Sequence, residues 1–169
     1  MKNLSELSGQ TLILNQPSIW KSYYELKYGD KVIGTVRSPK IFSSRILFKI
    51  ENKEWEIYSP RFWKSEIAIR ELGFQLPYAT YKRDTLKLRG TLYLPRGARL
   101  KFIFKIFKGG YEIQDESENT LVRCKDKASL KAKTEITIEK ASELINKYPW
   151  AIILIWYISD KRRQAAHAG

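Results

Sequence analysis

The chain of 169 residues is 43% hydrophobic and 13% aromatic, which excludes a disordered protein because disordered chains lack the apolar surface that offsets backbone ordering. Its formal net charge of +13 favours polyanionic partners such as nucleic acid or an acidic membrane face, although a basic surface that only keeps the protein solvated would carry the same charge. The single cysteine, Cys124, excludes an intramolecular disulfide, and the N-terminus has no continuous apolar segment of the signal-peptide type. These features predict a cytoplasmic protein, or one peripheral to the membrane.

The first two thirds of the chain carry the pattern of half-buried strands. Residues 1–9 are expected to be flexible, and from Gln10 to about Lys133 apolar and polar residues alternate between turn signals. Hairpins are predicted at four places: 23–28 with 31–37, 46–50 with 55–57, 74–82 with 85–94, and 99–108 with 111–115. Strands at 119–125 and 129–133 continue the series, so ten to twelve short strands predict a sandwich or a barrel.

Helical spacing appears only near the end of the chain. Apolar residues at helical intervals predict a helix over 137–148, capped by Thr137 or Thr134 and kinked or restarted at Pro149. The segment Trp150–Ile158 that follows is apolar on every side, and either a helix or a final buried strand accounts for it. We favour one domain over residues 10–160 with a helix over about 139–160, followed by a flexible tail at 161–169.

Trp150–Ile158 must be surrounded by protein or by lipid. A transmembrane helix needs roughly 20 predominantly apolar residues, and this run is far shorter, which favours burial in the core. Aromatic residues and the Lys161-Arg162-Arg163 cluster flank the segment as they would flank a membrane anchor, so interfacial anchoring is the alternative.

Basic residues concentrate in the middle third of the chain. Residues 61–109 carry 12 basic and 3 acidic side chains. Alternation along two neighbouring strands predicts a basic face that binds a phosphorylated surface, formed by Lys87, Arg89, Arg99, Lys101, Lys105 and Lys108.

The residue types needed for catalysis are sparse. The only histidine, His167, lies in the predicted tail, so a histidine-based triad or zinc site is not expected. Cys124 is expected to point inward, away from Arg123 and Lys125, in a structural role. No glycine-rich phosphate loop is present in the sequence. We therefore expect no enzyme activity, no catalytic residues, no cofactor and no bound metal.

A succession of antiparallel hairpins from Tyr23 to Lys133, closed by the apolar segment Trp150–Ile158, resembles the tubby-like superfamily, which includes the phospholipid scramblases and the plant LURP-one-related proteins. The resemblance lies in the order of elements, not in a short motif. It implies a mainly β (α+β) fold, a closed antiparallel barrel of about twelve strands around a hydrophobic C-terminal helix. It also implies a membrane-linked role, because tubby domains bind phosphoinositide head groups through basic residues and scramblases act on lipids.

The resulting expectation is a non-enzymatic binding module for acidic phospholipid head groups, contacted through the basic face. A nucleic-acid-binding barrel is the alternative, since the same cations together with tyrosines would suit stacked bases. A protein-interaction scaffold without a dedicated ligand is the third hypothesis.

Overall fold

Twelve strands form a closed antiparallel barrel in which each strand pairs with its neighbours along the chain, and the first strand pairs with the last. The computed structural model describes residues 4–19, 22–39, 44–60, 66–84, 88–105, 109–129 and 131–168. The strands are β1 (Thr11–Asn15), β2 (Tyr23–Tyr28), β3 (Lys31–Arg37), β4 (Arg45–Ile50), β5 (Lys53–Tyr58), β6 (Glu66–Glu71), β7 (Ala79–Arg83), β8 (Arg89–Tyr93), β9 (Arg99–Lys105), β10 (Gly110–Gln114), β11 (Thr120–Lys127) and β12 (Lys133–Ile138). This architecture confirms the expected fold class.

The inner face of the barrel is apolar because every second residue of each strand points inward. In β9, Leu100, Phe102 and Phe104 are buried, whereas Arg99 and Lys105 are exposed. The same alternation buries Leu12 and Leu14 of β1. The sheet closes on itself, so no strand edge remains open for pairing with another chain.

The lumen of the barrel is filled by the C-terminal helix α2 (Ala151–Ala168). Barrel diameter grows with strand number, and about eight strands already give the width that side chains alone can fill. A twelve-stranded barrel therefore needs a further element inside it. Every residue from Trp150 to Ile158 is buried, which confirms a core helix and excludes a final strand. Among the described residues, no helix is long and apolar enough to cross a bilayer.

The expected helix over 137–148 begins later than predicted. Residues 133–138 form β12, which pairs with both β1 and β11 and so closes the barrel. Buried Ile136 and Ile138 alternate with half-exposed neighbours, and the β-branched residues of this segment favour a strand. The helix α1 (Glu143–Lys147) is short, and Ser142, not Thr134 or Thr137, caps it by accepting a hydrogen bond from the Ile145 amide.

Both chain ends contain regular elements. Leu4–Leu7 form a 3-10 turn whose two leucines are buried, so part of the segment 1–9 belongs to the core. Helix α2 continues through Ala168, so it includes most of the segment 161–169 that was expected as a flexible tail. Residues 74–78, expected in a strand, belong to the connection between β6 and β7.

The two ends of the barrel differ in how they are covered. At one end, α1 packs beside the Leu4–Leu7 turn and covers the entry of α2, and we call it the capped end. At the other end α2 leaves the lumen after Ser159, and we call it the helix-exit end. The described connections of the helix-exit end follow β1, β3, β5, β7, β9 and β11, whereas those of the capped end follow the even-numbered strands.

Candidate functional site

The described members of the predicted basic face lie on the outer surface of β8 and β9. Arg89 lies opposite Ile103, and Lys101 lies opposite Thr91. Arg99 begins β9 at the capped end, and Lys105 ends it at the helix-exit end, about 20 Å away at the usual rise of a strand. Lys87 and Lys108 lie outside the described residues. The face is therefore a stripe along the barrel wall and does not form one concave site.

The cations of this stripe already have protein partners. Arg89 donates to Asp84 at 3.1 Å, and Lys101 lies 3.2 Å from Glu118. Lys105 donates to Glu112 at 2.6 Å, and the Arg99 guanidinium lies over the ring of Tyr93 at 5.6 Å. Binding a phosphate on this wall would compete with these contacts, so the stripe alone is a weak candidate.

Glu112 anchors the stripe to the neighbouring strands. Its carboxylate is almost completely buried and accepts hydrogen bonds from Lys105 and from Arg123. Burial raises the pKa of the Glu112 carboxyl, but the Lys105 hydrogen bond and the charges of Lys105 and Arg123 outweigh it, so the pKa lies below its ordinary value. The carboxylate stays ionised at neutral pH and has a structural role.

A cavity of about 390 Å³ opens at the helix-exit end, between the last turns of α2 and the ends of β9 and β10. We call it the exit pocket. Its walls combine the apolar faces of Phe104 and Ala166 with the backbone of Gly109 and Gly110. The polar side chains that line it are Lys105, Tyr111, Asp126, Ser159, Arg162 and Arg163.

One side of the exit pocket is held by a satisfied polar network. Asp126 accepts hydrogen bonds from the Tyr111 hydroxyl at 2.9 Å and the Thr134 hydroxyl at 2.7 Å. Arg163 bridges Asp126 and Asp160, each at 3.0 Å. Burial, together with the charges of Cys124 and Asp126, raises the pKa of Tyr111, so its hydroxyl remains a hydrogen-bond donor. This network fixes the emerging helix against β10–β12.

Arg162 lies on the other side of the exit pocket and has no carboxylate partner among the described residues. Its guanidinium stacks on Phe104, with Cζ 3.9 Å from the ring centroid. Nε and Nη2 are inaccessible to solvent, and the guanidinium faces the buried hydroxyl of Tyr81, which acts on it through its charge and as a hydrogen-bond partner. Burial and the charge of Arg83 lower the pKa of Arg162, while the neighbouring Tyr81 raises it.

The sequence did not single out this pair. Lys161, Arg162 and Arg163 form one cluster of cations in the chain, and only the fold shows that Arg163 has carboxylate partners whereas Arg162 faces Tyr81 and Arg83. Cys124, by contrast, lies where the strand pattern placed it. Its side chain is completely buried, and burial followed by the charge of Asp126 raises the pKa of its thiol, which suits the expected structural role.

A second exposed feature lies at the capped end. The connection between β6 and β7 exposes four large side chains: Leu72, Phe74, Leu76 and Tyr78. Leu76 is 81% exposed and Phe74 is 64% exposed. We call residues 72–78 the apolar loop. It is the main rival of the helix-exit end as a contact surface.

Comparisons with known proteins bear on the fold alone. No family model matches the sequence, and no curated protein is similar enough to mark a relative. An X-ray structure of a protein from Arabidopsis thaliana shares the architecture with a TM-score of 0.62, covering 92% of this chain and 94% of that chain at 7% identity. The structural similarity shows a common fold, and at so low a sequence identity it gives no information about function.

Proposed function

We propose that the protein is a non-enzymatic binding module that docks on acidic phospholipid surfaces through the helix-exit end. One observation carries the proposal, namely the separation of charge between the two ends of the barrel. A uniformly basic surface would attract an acidic bilayer without orienting the protein, whereas a charge gradient along the barrel axis turns one end toward it. The proposal keeps the ligand class expected from the sequence and moves the contact from the β8–β9 wall to one end.

The charge gradient is visible in the described side chains. At the helix-exit end the acidic residues are Glu56, Glu66, Asp84, Glu112, Asp126, Glu135 and Asp160, against the basic residues Arg37, Arg45, Lys82, Arg83, Arg89, Lys105, Lys125, Lys127, Lys131, Lys133, Lys161, Arg162 and Arg163. At the capped end the two signs nearly balance, with Glu6, Asp30, Glu51, Glu54, Glu71, Asp115, Glu116, Glu118, Glu139 and Glu143 against Lys31, Lys49, Lys53, Arg70, Arg96, Arg99, Lys101, Lys140 and Lys147. Among the described side chains, the excess of positive charge therefore lies at the helix-exit end.

Local ion pairs do not remove this excess. Asp126 and Asp160 are both held by Arg163, and Asp84 is held by Arg89. Cations in a polybasic segment contribute about 1 kcal/mol each near an anionic bilayer, within roughly a Debye length of it. The surplus at the helix-exit end is therefore enough for reversible binding at physiological ionic strength.

Apolar residues at the same end favour lipid over nucleic acid. Ile19 is 56% exposed in the connection after β1, and Leu88 is 40% exposed in the connection after β7. Aliphatic side chains beside cations suit the interface of a bilayer, whereas single-stranded nucleic acid is held by stacking on aromatic rings. The exposed aromatic residues of the described chain, Tyr28, Phe74, Tyr78 and Tyr93, lie at the capped end.

The resemblance to the tubby-like superfamily supports the same conclusion. That resemblance implies a barrel around a C-terminal helix, which this chain has, and a role at membranes. We include membership of the superfamily, and a cytoplasmic location at the membrane face, in the proposal.

Vesicle flotation tests the proposal. The protein is expected to float with phosphatidylcholine vesicles that contain about 30 mol% phosphatidylserine, to stay behind with pure phosphatidylcholine, and to be released as salt rises toward about 1 M. A competing single-stranded oligonucleotide at the same ionic strength is expected to displace little protein. Absence of lipid-dependent flotation at low salt, or complete displacement by the oligonucleotide, would contradict lipid binding.

A further inference from the structure

We infer that the exit pocket binds the hydrocarbon chain of an anionic lipid. The inference goes beyond the proposed docking on acidic bilayers, because it assigns a cavity to one chain and not a charged surface to a membrane. It rests on the wall, size and charge of the pocket. The chain has two sources, a free fatty acid or one acyl chain of a phospholipid, and two monomeric probes separate them.

The wall of the exit pocket is mostly apolar, although most of its lining side chains are polar. The polar ends of these side chains are engaged with other protein groups. The Tyr111 hydroxyl donates to Asp126, and Arg163 forms an ion pair with the same carboxylate. The Arg162 guanidinium lies over the ring of Phe104. Mainly carbon therefore faces the pocket, and such a wall favours a ligand that needs no hydrogen bonds there.

The pocket has an aromatic floor and an open rim. Phe104 and Tyr111 lie at the floor, where both are buried and their ring centroids are 6.3 Å apart. Gly109 and Ala166 lie at the rim, where both are exposed. Gly109 has a φ of +60°, which disfavours a larger residue, and a Cβ built on it would meet no atom within 4 Å. The entrance is therefore wide enough for an alkyl chain.

The volume of the pocket suits a chain of moderate length. An apolar cavity of about 150 Å³ takes up benzene. On that scale the exit pocket, with a volume of about 390 Å³, accommodates a chain of on the order of a dozen carbons. Two acyl chains of one phospholipid exceed this volume, so the site takes a single chain.

The charges around the pocket favour an anionic end group on the chain. The wall carries Lys105, Arg162 and Arg163 against one carboxylate, that of Asp126. This excess of positive charge attracts an anion through its field and requires no free hydrogen-bond donor inside the pocket. The pocket also opens at the helix-exit end, so docking on an acidic bilayer would bring its rim to the level of the lipids. The chain would lie in the pocket with its charged end at the rim, in water.

Calorimetric titration with fatty acids below their micelle concentrations tests the inference on the unmodified protein. The open pocket covers one side of a chain, so each methylene is expected to strengthen binding about twofold, compared with about fourfold for full burial. Affinity should rise from octanoate through decanoate to dodecanoate and then level off at tetradecanoate, whose end would lie outside the pocket. Dodecyltrimethylammonium, which has a cationic end, is expected to bind at least about tenfold more weakly than dodecanoate.

Ala166→Trp and Ala165→Trp form a matched pair of variants. Both positions are exposed in the last turns of α2, but only Ala166 lines the pocket. An indole at position 166 would occupy the space of the chain, so dodecanoate binding is expected to weaken at least about tenfold. The same side chain at position 165 is expected to leave this binding within about threefold, because it lies outside the pocket.

Lauroyl lysophosphatidylserine is the second monomeric probe, and its affinity relative to dodecanoate identifies the source of the chain. The inference is overturned if neither probe binds saturably, or if affinity still rises about fourfold from dodecanoate to tetradecanoate. Equal losses in Ala165→Trp and Ala166→Trp would also overturn it. Flotation with phosphatidylserine vesicles is run in parallel, and both variants are expected to retain it because their charge is unchanged. Failure of the pocket and failure of the membrane proposal are therefore distinguishable.

Discussion

Replacement of Leu154 by aspartate is expected to prevent the barrel from folding. Leu154 is completely inaccessible at the middle of the buried part of α2, with apolar side chains of the helix and the strands around it. An unpaired carboxylate there would cost more than about 5 kcal/mol, which equals the whole stability of many domains. Near-ultraviolet circular dichroism and urea denaturation should show loss of fixed tertiary structure.

Ala165→Asp is the matched control for this change. It introduces the same side chain into the same helix, at an exposed position beyond the helix-exit end. An added negative charge near a helix C-terminus costs about 0.3–1 kcal/mol, so this variant should unfold cooperatively with nearly the parent midpoint. If Leu154→Asp unfolds cooperatively within about 1 kcal/mol of the parent, α2 is not the filling of the barrel.

Charge reversal at the helix-exit end is expected to abolish binding to acidic vesicles. The triple variant Arg83→Glu, Lys133→Glu, Lys161→Glu changes three exposed cations at this end. At about 1 kcal/mol for each cation removed, and more for each reversal, the binding constant should fall by more than about a hundredfold. Flotation with phosphatidylserine vesicles at low salt measures the loss.

The matched control changes the charge by the same amount at the capped end. Lys31→Glu, Lys53→Glu, Lys140→Glu also reverses three exposed cations, so it has the same net charge as the first variant. It is expected to keep most of the binding, because its altered positions face away from the bilayer. Equal losses in the two variants would mean that net charge alone, and not the helix-exit end, determines attachment.

The fold was largely predictable because strands and a wholly apolar helix leave strong periodic signals. The alternation of apolar and polar residues predicted the positions of most strands. The segment Trp150–Ile158 is too short to span a bilayer, so its length predicted a core helix and not a membrane span. The error at residues 133–138 has a physical cause. Ile138 begins a series of apolar residues at helical spacing, which favours a helix. It belongs to a strand because β12 pairs with both β1 and β11 and so closes the barrel, and these pairings cannot be read from the local sequence.

The candidate site was less predictable because it depends on contacts across long stretches of sequence. Arg162 and Arg163 are adjacent, and their different roles arise from Asp126 on β11 and Tyr81 on β7. The stripe at Arg89, Arg99, Lys101 and Lys105 was placed correctly on two neighbouring strands. Its acidic partners, such as Glu112 on β10, become apparent only when the neighbouring strands are paired.

The central claim is that the helix-exit end faces the membrane, and a fluorescent label tests it most directly. Cys124 is buried, so a cysteine introduced at Ile19 or at Leu76 can be labelled selectively with an environment-sensitive nitrobenzoxadiazole dye. Phosphatidylserine vesicles are expected to brighten and blue-shift the label at position 19, at the helix-exit end, and to leave the label at position 76 in the apolar loop unchanged. A response at position 76 without one at position 19 would contradict the account and would identify the apolar loop as the membrane contact.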